Sequence, residues 1–269
     1  MPLTPFQADL LAILAPARTP DSYLAGGTAL HLEPNSLRFS DDFDLFHDAA
    51  ERVAEAYATD LALLGENGYD VEVLISQPGF IRALVRCGSE ATRIDWARDS
   101  AWRFMPVRRD PDCGWVLHEI DLATNKVLAL AGRDEPRDFV DTLFVMERIL
   151  PLGPLVWAAS AKDPGFSPGS LLEQVRRGGR IRAEDVARLH LAGPFDLGEA
   201  KQTWLAALAD AEAFMESRPP DESGCLYYGV DTQRFVQPAS ESSLEEQGVV
   251  CHYGRIGGVL PRPADQSLT

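Results

Sequence analysis

Residues 23–46 read YLAGGTALHLEPNSLRFSDDFDLF, and the expected fold turns on them. A short apolar strand, residues 23–25, runs into the pair Gly26-Gly27; residues 28–32 then reopen as a helix that Pro34 and Asn35 break. Glycine pairs let a backbone approach an anion closely, because no Cβ stands in the way. Residues 42–46 alternate acidic and apolar side chains, the period of a strand. Asp42 and Asp44 therefore share one face and Phe43 and Leu45 the other, while Asp41 is expected to point away. Two carboxylates on one strand face are what a magnesium–phosphate site needs.

On the N-terminal side, residues 4–15 (TPFQADLLAILA) place Phe6, Leu10, Leu11 and Leu14 at helical spacing behind Thr4, a side chain suited to capping. On the other side, residues 49–65 are rich in alanine, leucine and glutamate and predict a helix ending near Gly65 and Gly68. Three strands are expected next, over 71–76, 80–87 and 91–97, with Gln77-Pro78-Gly79 and Gly88-Ser89-Glu90 as turns. Residues 98–114 read as irregular. Helices follow over 121–131 and 136–150, the second opening on Pro136. Pro151, Gly153 and Pro154 then mark an expected boundary between a domain of residues 1–150 and one of residues 151–269. The second is mostly helical through residue 215, with a loop at 163–168. Strand-like stretches at 225–236 and 249–259 close it as a β-hairpin, and residues 261–269 should fray. The fold class is α+β.

The chain has 25 basic and 41 acidic residues, a net charge of −16. Such a field repels nucleic acid and anionic membranes, so a polyanionic substrate must meet a local basic patch or a compensating cation. The same acidity also serves plain solubility. Apolar residues at 45% and charged residues at 25% exclude a disordered chain. Cys87, Cys113, Cys225 and Cys251 form no CxxC pair, which argues against structural zinc and a disulfide framework and suits a reducing cytoplasm. The N-terminus has no basic n-region, Asp9 and prolines interrupt its apolar run, and no later stretch is long enough to span a bilayer. The expected protein is cytoplasmic, with no membrane partner.

Nucleotidyl transfer needs carboxylates that hold a divalent metal across a triphosphate. Asp42 and Asp44 suit that role by parity, although a solvated acidic strand edge would read the same way. Gly26, Gly27 and Thr28 would present backbone N–H groups and a hydroxyl where phosphates bind, or form an ordinary tight turn. Asp95, between Ile94 and Trp96, is the candidate third carboxylate, a metal ligand or general base; an edge-strand charge is the alternative. Arg82, Arg86 and Arg93 can share its sheet face. Lys126 stands on an otherwise apolar helix face, where it either snorkels or meets an anion. Asp138 falls in a first helical turn, which favours an acid whatever its function. Arg133 and Arg137 could equally pair with Glu135, Asp134 or Asp141. Farther on, Arg176, Arg177, Arg180 and Arg182 surround Gly178-Gly179, as a phosphate or protein contact or as a solvated helix end.

Three motifs occur in order: GGTAL from Gly26, R-x-S-x-D-x-D from Arg38 to Asp44, and K-x-x-A-x-x-x-R-x-x-x-R-D-x-x-D from Lys126 to Asp141. In this they resemble the AbiEii/AbiGii-type nucleotidyltransferase toxins. The resemblance covers roughly residues 23–46 and 121–145. It implies a polymerase-β-like nucleotidyltransferase core, a mixed sheet flanked by helices. It also implies that Gly26, Gly27 and Thr28 cradle phosphates, Asp42 and Asp44 hold Mg2+ (or Mn2+), and Lys126 with Asp138 or Asp141 completes the site. Arg38, Ser40 and Lys126 would contact the NTP, and Asp95 would hold or deprotonate the acceptor. The resemblance further implies an RNA acceptor, tRNA included, a cognate antitoxin protein and a role in toxin–antitoxin or phage-defence systems. A small-molecule or protein acceptor, or a non-catalytic binding module on the same fold, are the other readings.

Overall fold

The computed structural model describes residues 3–32, 36–40, 42–133, 135–240 and 242–262. The expectations at Pro34, Asn35, Asp41 and residues 263–269 lie outside that range. Two compact units emerge. The first is Met1–Leu122 with His190–Gly193 and Ile256–Gly258; the second is Ala123–Leu189 with Pro194–Arg255 and Val259–Thr269. The units part inside one helix at Leu122/Ala123, whereas Pro151–Pro154, the expected boundary, leads into a helix within the second unit.

The first unit opens with α1 (Pro5–Leu14), where the Thr4 hydroxyl accepts from the Gln7 N–H and the Gln7 side chain returns the bond, a reciprocal cap. Next come β1 (Ser22–Ala25), α2 (Gly26–Leu30), β2 (Asp42–His47), α3 (Ala50–Glu66), β3 (Asp70–Gln77), β4 (Phe80–Cys87) and β5 (Glu90–Arg98). Residues 98–114 are not wholly irregular: they lead through β6 (Trp102–Arg103) and β7 (Arg108–Asp110) to β8 (Gly114–Val116). Strands of two or three residues are too short to show alternation, which is why the pattern missed them. The first turn of α4 (Glu119–Gly132) completes the unit. Seven strands form one mixed sheet in the order β3-β4-β5-β2-β1-β8-β7, with β2 parallel to β5 and antiparallel to β1.

One face of that sheet is the core. Phe43 and Leu45 of β2, Ile94 and Trp96 of β5, and Ala83 and Val85 of β4 are buried there. Each large apolar side chain so buried contributes about 1.5–3 kcal/mol. Trp96 meets Tyr57 of α3 edge-on at 5.2 Å and donates its indole N–H to Asp60 at 2.7 Å. Asp60 is ion-paired in turn with buried Arg18. Because side chains alternate along a strand, this apolar set fixes Asp42, Asp44 and Asp95 on the opposite face. At the sheet edge, Val73, Leu74 and Ile75 of β3 are exposed.

The second unit continues α4 and adds α5 (Pro136–Arg148), α6 (Leu152–Ala159), α7 (Pro168–Gly178), α8 (Ala183–Val186) and α9 (Leu197–Glu216). The expected C-terminal hairpin is present as β9 (Leu226–Gly229) antiparallel to β11 (Val249–His252), with β10 (Arg234–Phe235) on the other side of β9. A two-residue strand, β12 (Arg255–Ile256), follows. Trp157, Phe214 and Tyr227 stack edge-on in this unit's core, with Cys225 and Val249. No helix among the described residues is long and apolar enough to cross a membrane.

Candidate active site

β1 and β2 run antiparallel with Ala25 opposite Asp44, so the chain leaves β1 directly beside the Asp44 side chain. Gly26 sits there at φ +66°, and a Cβ on it would lie 1.8 Å from Asp44 Oδ2. At Gly27 a Cβ would lie 2.6 Å from Arg38 Nη2 and 3.2 Å from Ser40 Oγ. Gly26 is thus required by Asp44, whereas at Gly27 the end of the Arg38 side chain would have to shift. Thr28 is buried, and its hydroxyl donates to the carbonyl of Asp42. The Ser40 hydroxyl lies 3.2 Å from the same carbonyl and 3.3 Å from Asp42 Oδ1. Together Thr28 and Ser40 clamp the first residue of β2. Arg38 is buried on a segment that pairs with residues 190–192: Phe39 N–H donates to His190 and Ala192 N–H to Leu37, both at 2.9 Å.

Register then gathers the acids. Asp44 is level with Asp95 on parallel β5, Asp42 with Arg93, and Asp95 with Arg82 on β4. Arg82 grips Asp95 with two hydrogen bonds, of 2.8 and 2.6 Å. That bonding to Asp95, followed by the charges of Asp95, Asp42 and Asp44, holds the Arg82 guanidinium above its ordinary pKa against the opposing effect of burial. Arg93 pairs with Asp42 and stands 3.9 Å from Asp95. Asp42 and Asp95 are buried and Asp44 half-buried. Arg82 and Arg93 share the acids' face as expected, while Arg86 pairs instead with Glu72 at 2.8 Å. The bond between Arg93 and Asp42 has no signature in the sequence; it follows from the pairing of β2 with β5. Among the described residues no three His, Cys, Asp or Glu side chains form a ready-made metal cage.

Lys126, Asp138 and Asp141 make a second cluster, within the second unit. Lys126 Nζ lies 2.7 Å from Asp141 Oδ2 and 3.4 Å from Asp138 Oδ1. Arg133 holds Asp138 through both Nε and Nη2, the latter at 3.0 Å. Three residues apart on α5, Asp138 and Asp141 share a helix face and are fully buried. The cluster joins α4 to α5. Sequence-predicted residues therefore fall into two groups. Gly26, Gly27, Thr28, Arg38, Ser40, Asp42, Asp44 and Asp95 come together in the first unit, and Lys126, Asp138 and Asp141 in the second.

MenT4, a nucleotidyltransferase toxin of Mycobacterium tuberculosis H37Rv, is similar in structure, with 19% identity and a TM-score of 0.51 over 80% of this chain and 83% of that one. JHP933 from Helicobacter pylori is 18% identical, with a TM-score of 0.47 over 79% of this chain and 94% of that one. At such identities the likeness to MenT4 shows the fold alone. No curated protein sequence is significantly similar. The model of the AbiEii nucleotidyl transferase toxins of Type IV toxin–antitoxin systems matches residues 9–165, more than half of the chain and all the residues of both clusters. The chain belongs to the AbiEii nucleotidyltransferase toxin family.

Proposed function

We propose that this nucleotidyltransferase moves a nucleoside monophosphate from an NTP to an RNA end, tRNA ends included, with Mg2+ or Mn2+ required. In this reading it is a cytoplasmic toxin of a toxin–antitoxin or phage-defence system, restrained by a cognate antitoxin. The observation that carries the reading is Asp44 packed on Gly26 and level with Asp95.

The donor set fits a hard cation. Half-buried Asp44 would hold it together with Asp42 on the same strand face, the Asp42 carboxylate exchanging its Arg93 partner for the cation, and magnesium is commonly held by one or two carboxylates with substrate phosphates and water. The chemistry such a cation supplies when bound is charge neutralisation across the triphosphate. The chain's own residues do the rest. Gly26 and Gly27 leave room for phosphate oxygens against the backbone, Arg38 and Ser40 donate to them, and Thr28 keeps β2 in place behind them. Lys126, with Asp138 and Asp141, is the remaining contact to the NTP in this proposal. Asp95, oriented by Arg82, receives the acceptor hydroxyl and takes up its proton as oxygen attacks the α-phosphorus. Pyrophosphate leaves with the electrons of the broken P–O bond. Catalysis of this kind is positioning and charge stabilisation, with no covalent enzyme intermediate.

The test is incubation with each α-labelled NTP, with total RNA or with protein lysate, with and without a chelator. Label that enters nuclease-sensitive material, disappears with chelation and returns with Mg2+ supports the proposal. Label in protease-sensitive or small-molecule products would replace the acceptor, and chelator-resistant transfer would remove the metal.

A further inference from the structure

The second unit has a cleft of about 310 Å³ between the end of α4 and α7, floored by Leu130 and Gly178 and lined by Arg133, Gln174, Arg177 and Arg180. Three guanidiniums line it and no carboxylate does among the described residues, in a chain with 41 acidic and 25 basic residues. Such a surface is what a polyanion approaching a −16 protein would need.

Packing sets these arginines in place. A Cβ at Gly178 would lie 2.4 Å from Leu130 Cδ1 and 2.8 Å from the Leu130 carbonyl oxygen, so the glycine lets the end of α7 rest directly on α4. At Gly179 a Cβ would lie 2.1 Å from Trp204 Nε1, which seats the next residue as closely. Arg177 and Arg180 flank this fixed pair. Arg133 is oriented by its bonds to Asp138, and its side chain still has 48% of its surface in solvent.

A plainer account would have the arginines neutralise helix C-termini. That role needs no side-chain bond and accounts for a cation at Arg177, in the last turn of α7, but it does not call for Arg180, past the end of the helix, to gather with Arg133 and Arg177 in one cleft. Among the described residues, Arg177 has only a 3.5 Å contact with Gln174, and neither Arg177 nor Arg180 has a carboxylate partner. Arg176, one residue earlier, is the contrast: it pairs with Glu212 and Glu173. Arg177 and Arg180 are the pair left for a ligand, and planar guanidinium forks match phosphate oxygens. The cleft's volume is at the small end for ligand pockets, a size for one phosphate and the sugar that carries it.

We infer that the Arg133–Arg177–Arg180 cleft is a phosphate-binding site, taking the phosphate group of a polynucleotide backbone or of a small phosphate ester. The inference stands on the second unit alone and does not depend on the proposed transfer reaction. The experiment uses the full chain without NTP or divalent cation. Two probes, a fluorescein-labelled single-stranded RNA decamer and inorganic pyrophosphate, are titrated against wild type, Arg177→Gln/Arg180→Gln and Arg176→Gln. In the double variant, decamer affinity is expected to fall about tenfold, and the slope of log K against log salt to shrink by roughly 1.4, or ~0.7 per lost contact. The melting temperature stays at the wild-type value, and Arg176→Gln has a much smaller effect. Loss of decamer binding identifies the polynucleotide source, whereas loss of pyrophosphate binding alone identifies the small ester. Failure of the wild type to bind either probe, equal binding by wild type and double variant, or an equal loss in Arg176→Gln overturns the inference.

Discussion

Gly26 joins two constraints that usually occur apart: a left-handed backbone at φ +66° and a carboxylate where its Cβ would stand. Gly26→Ala must both strain the turn and push Asp44 aside. The expected stability cost is about 1–3 kcal/mol in chemical denaturation. Transfer should fall by about two orders of magnitude or more, a loss out of proportion to the change in stability. His47 makes a second residue-scale prediction. It lies on the core face of β2, and its two ring nitrogens are buried with no hydrogen-bond partner among the described residues. Burial first, then the charges of Arg18 and Arg52, push its pKa down to about 3. An unfolded imidazole takes up its proton near pH ~6.5. Between those values the unfolded chain binds more protons, so the contribution of neutral His47 is present above about pH 6.5 and is lost as pH falls towards 3. The slope is at most ~1.4 kcal/mol per pH unit. Urea unfolding at pH 7, 6 and 5 should show a shallower pH dependence in His47→Leu than in wild type; equal slopes would contradict this assignment.

At the scale of elements, β2 and β5 do most to build the site. Their parallel register sets Asp44 beside Asp95, while Phe43, Leu45, Ile94 and Trp96 hold the acids' backbone from behind. The alternation in DFDLF and RIDW was legible in sequence, because a two-residue period needs no knowledge of neighbours. The partners were not. Arg93 was read against Asp95, which it does approach at 3.9 Å, but its closer partner, Asp42, was not foreseen, since register is a property of two strands. The α4–α5 pair carries another prediction. Lys126→Met would leave Asp138 and Asp141, both fully buried, with one cation fewer. Breaking such a set costs about 3–5 kcal/mol, to be read by urea unfolding. Lys126→Arg keeps a charge between the acids; restored stability without restored transfer would mark a role for Lys126 beyond that pair.

Over the whole molecule, the sequence's clearest punctuation and its structural division do not coincide. Prolines and glycine at 151–154 interrupt helices, but compactness changes within α4, where an unbroken helix gives no local signal. Residues 190–193 and 256–258 return to the first unit, where Gly257 N–H donates to Ala101 at 2.8 Å, a long-range closure that no motif announces. The acidic chain still keeps arginines at both clusters and in the cleft beside Gly178, so its net charge describes its surface field and not its sites. The central claim is that the Asp42–Asp44 strand face carries nucleotidyl transfer. Its most direct test is the initial rate of label transfer from α-labelled NTP to RNA in Mg2+, wild type against Asp44→Asn, with circular dichroism melts of both. The account predicts a loss of about two to three orders of magnitude in a variant that melts like the wild type. A folded Asp44→Asn protein that transfers label at the wild-type rate would contradict it.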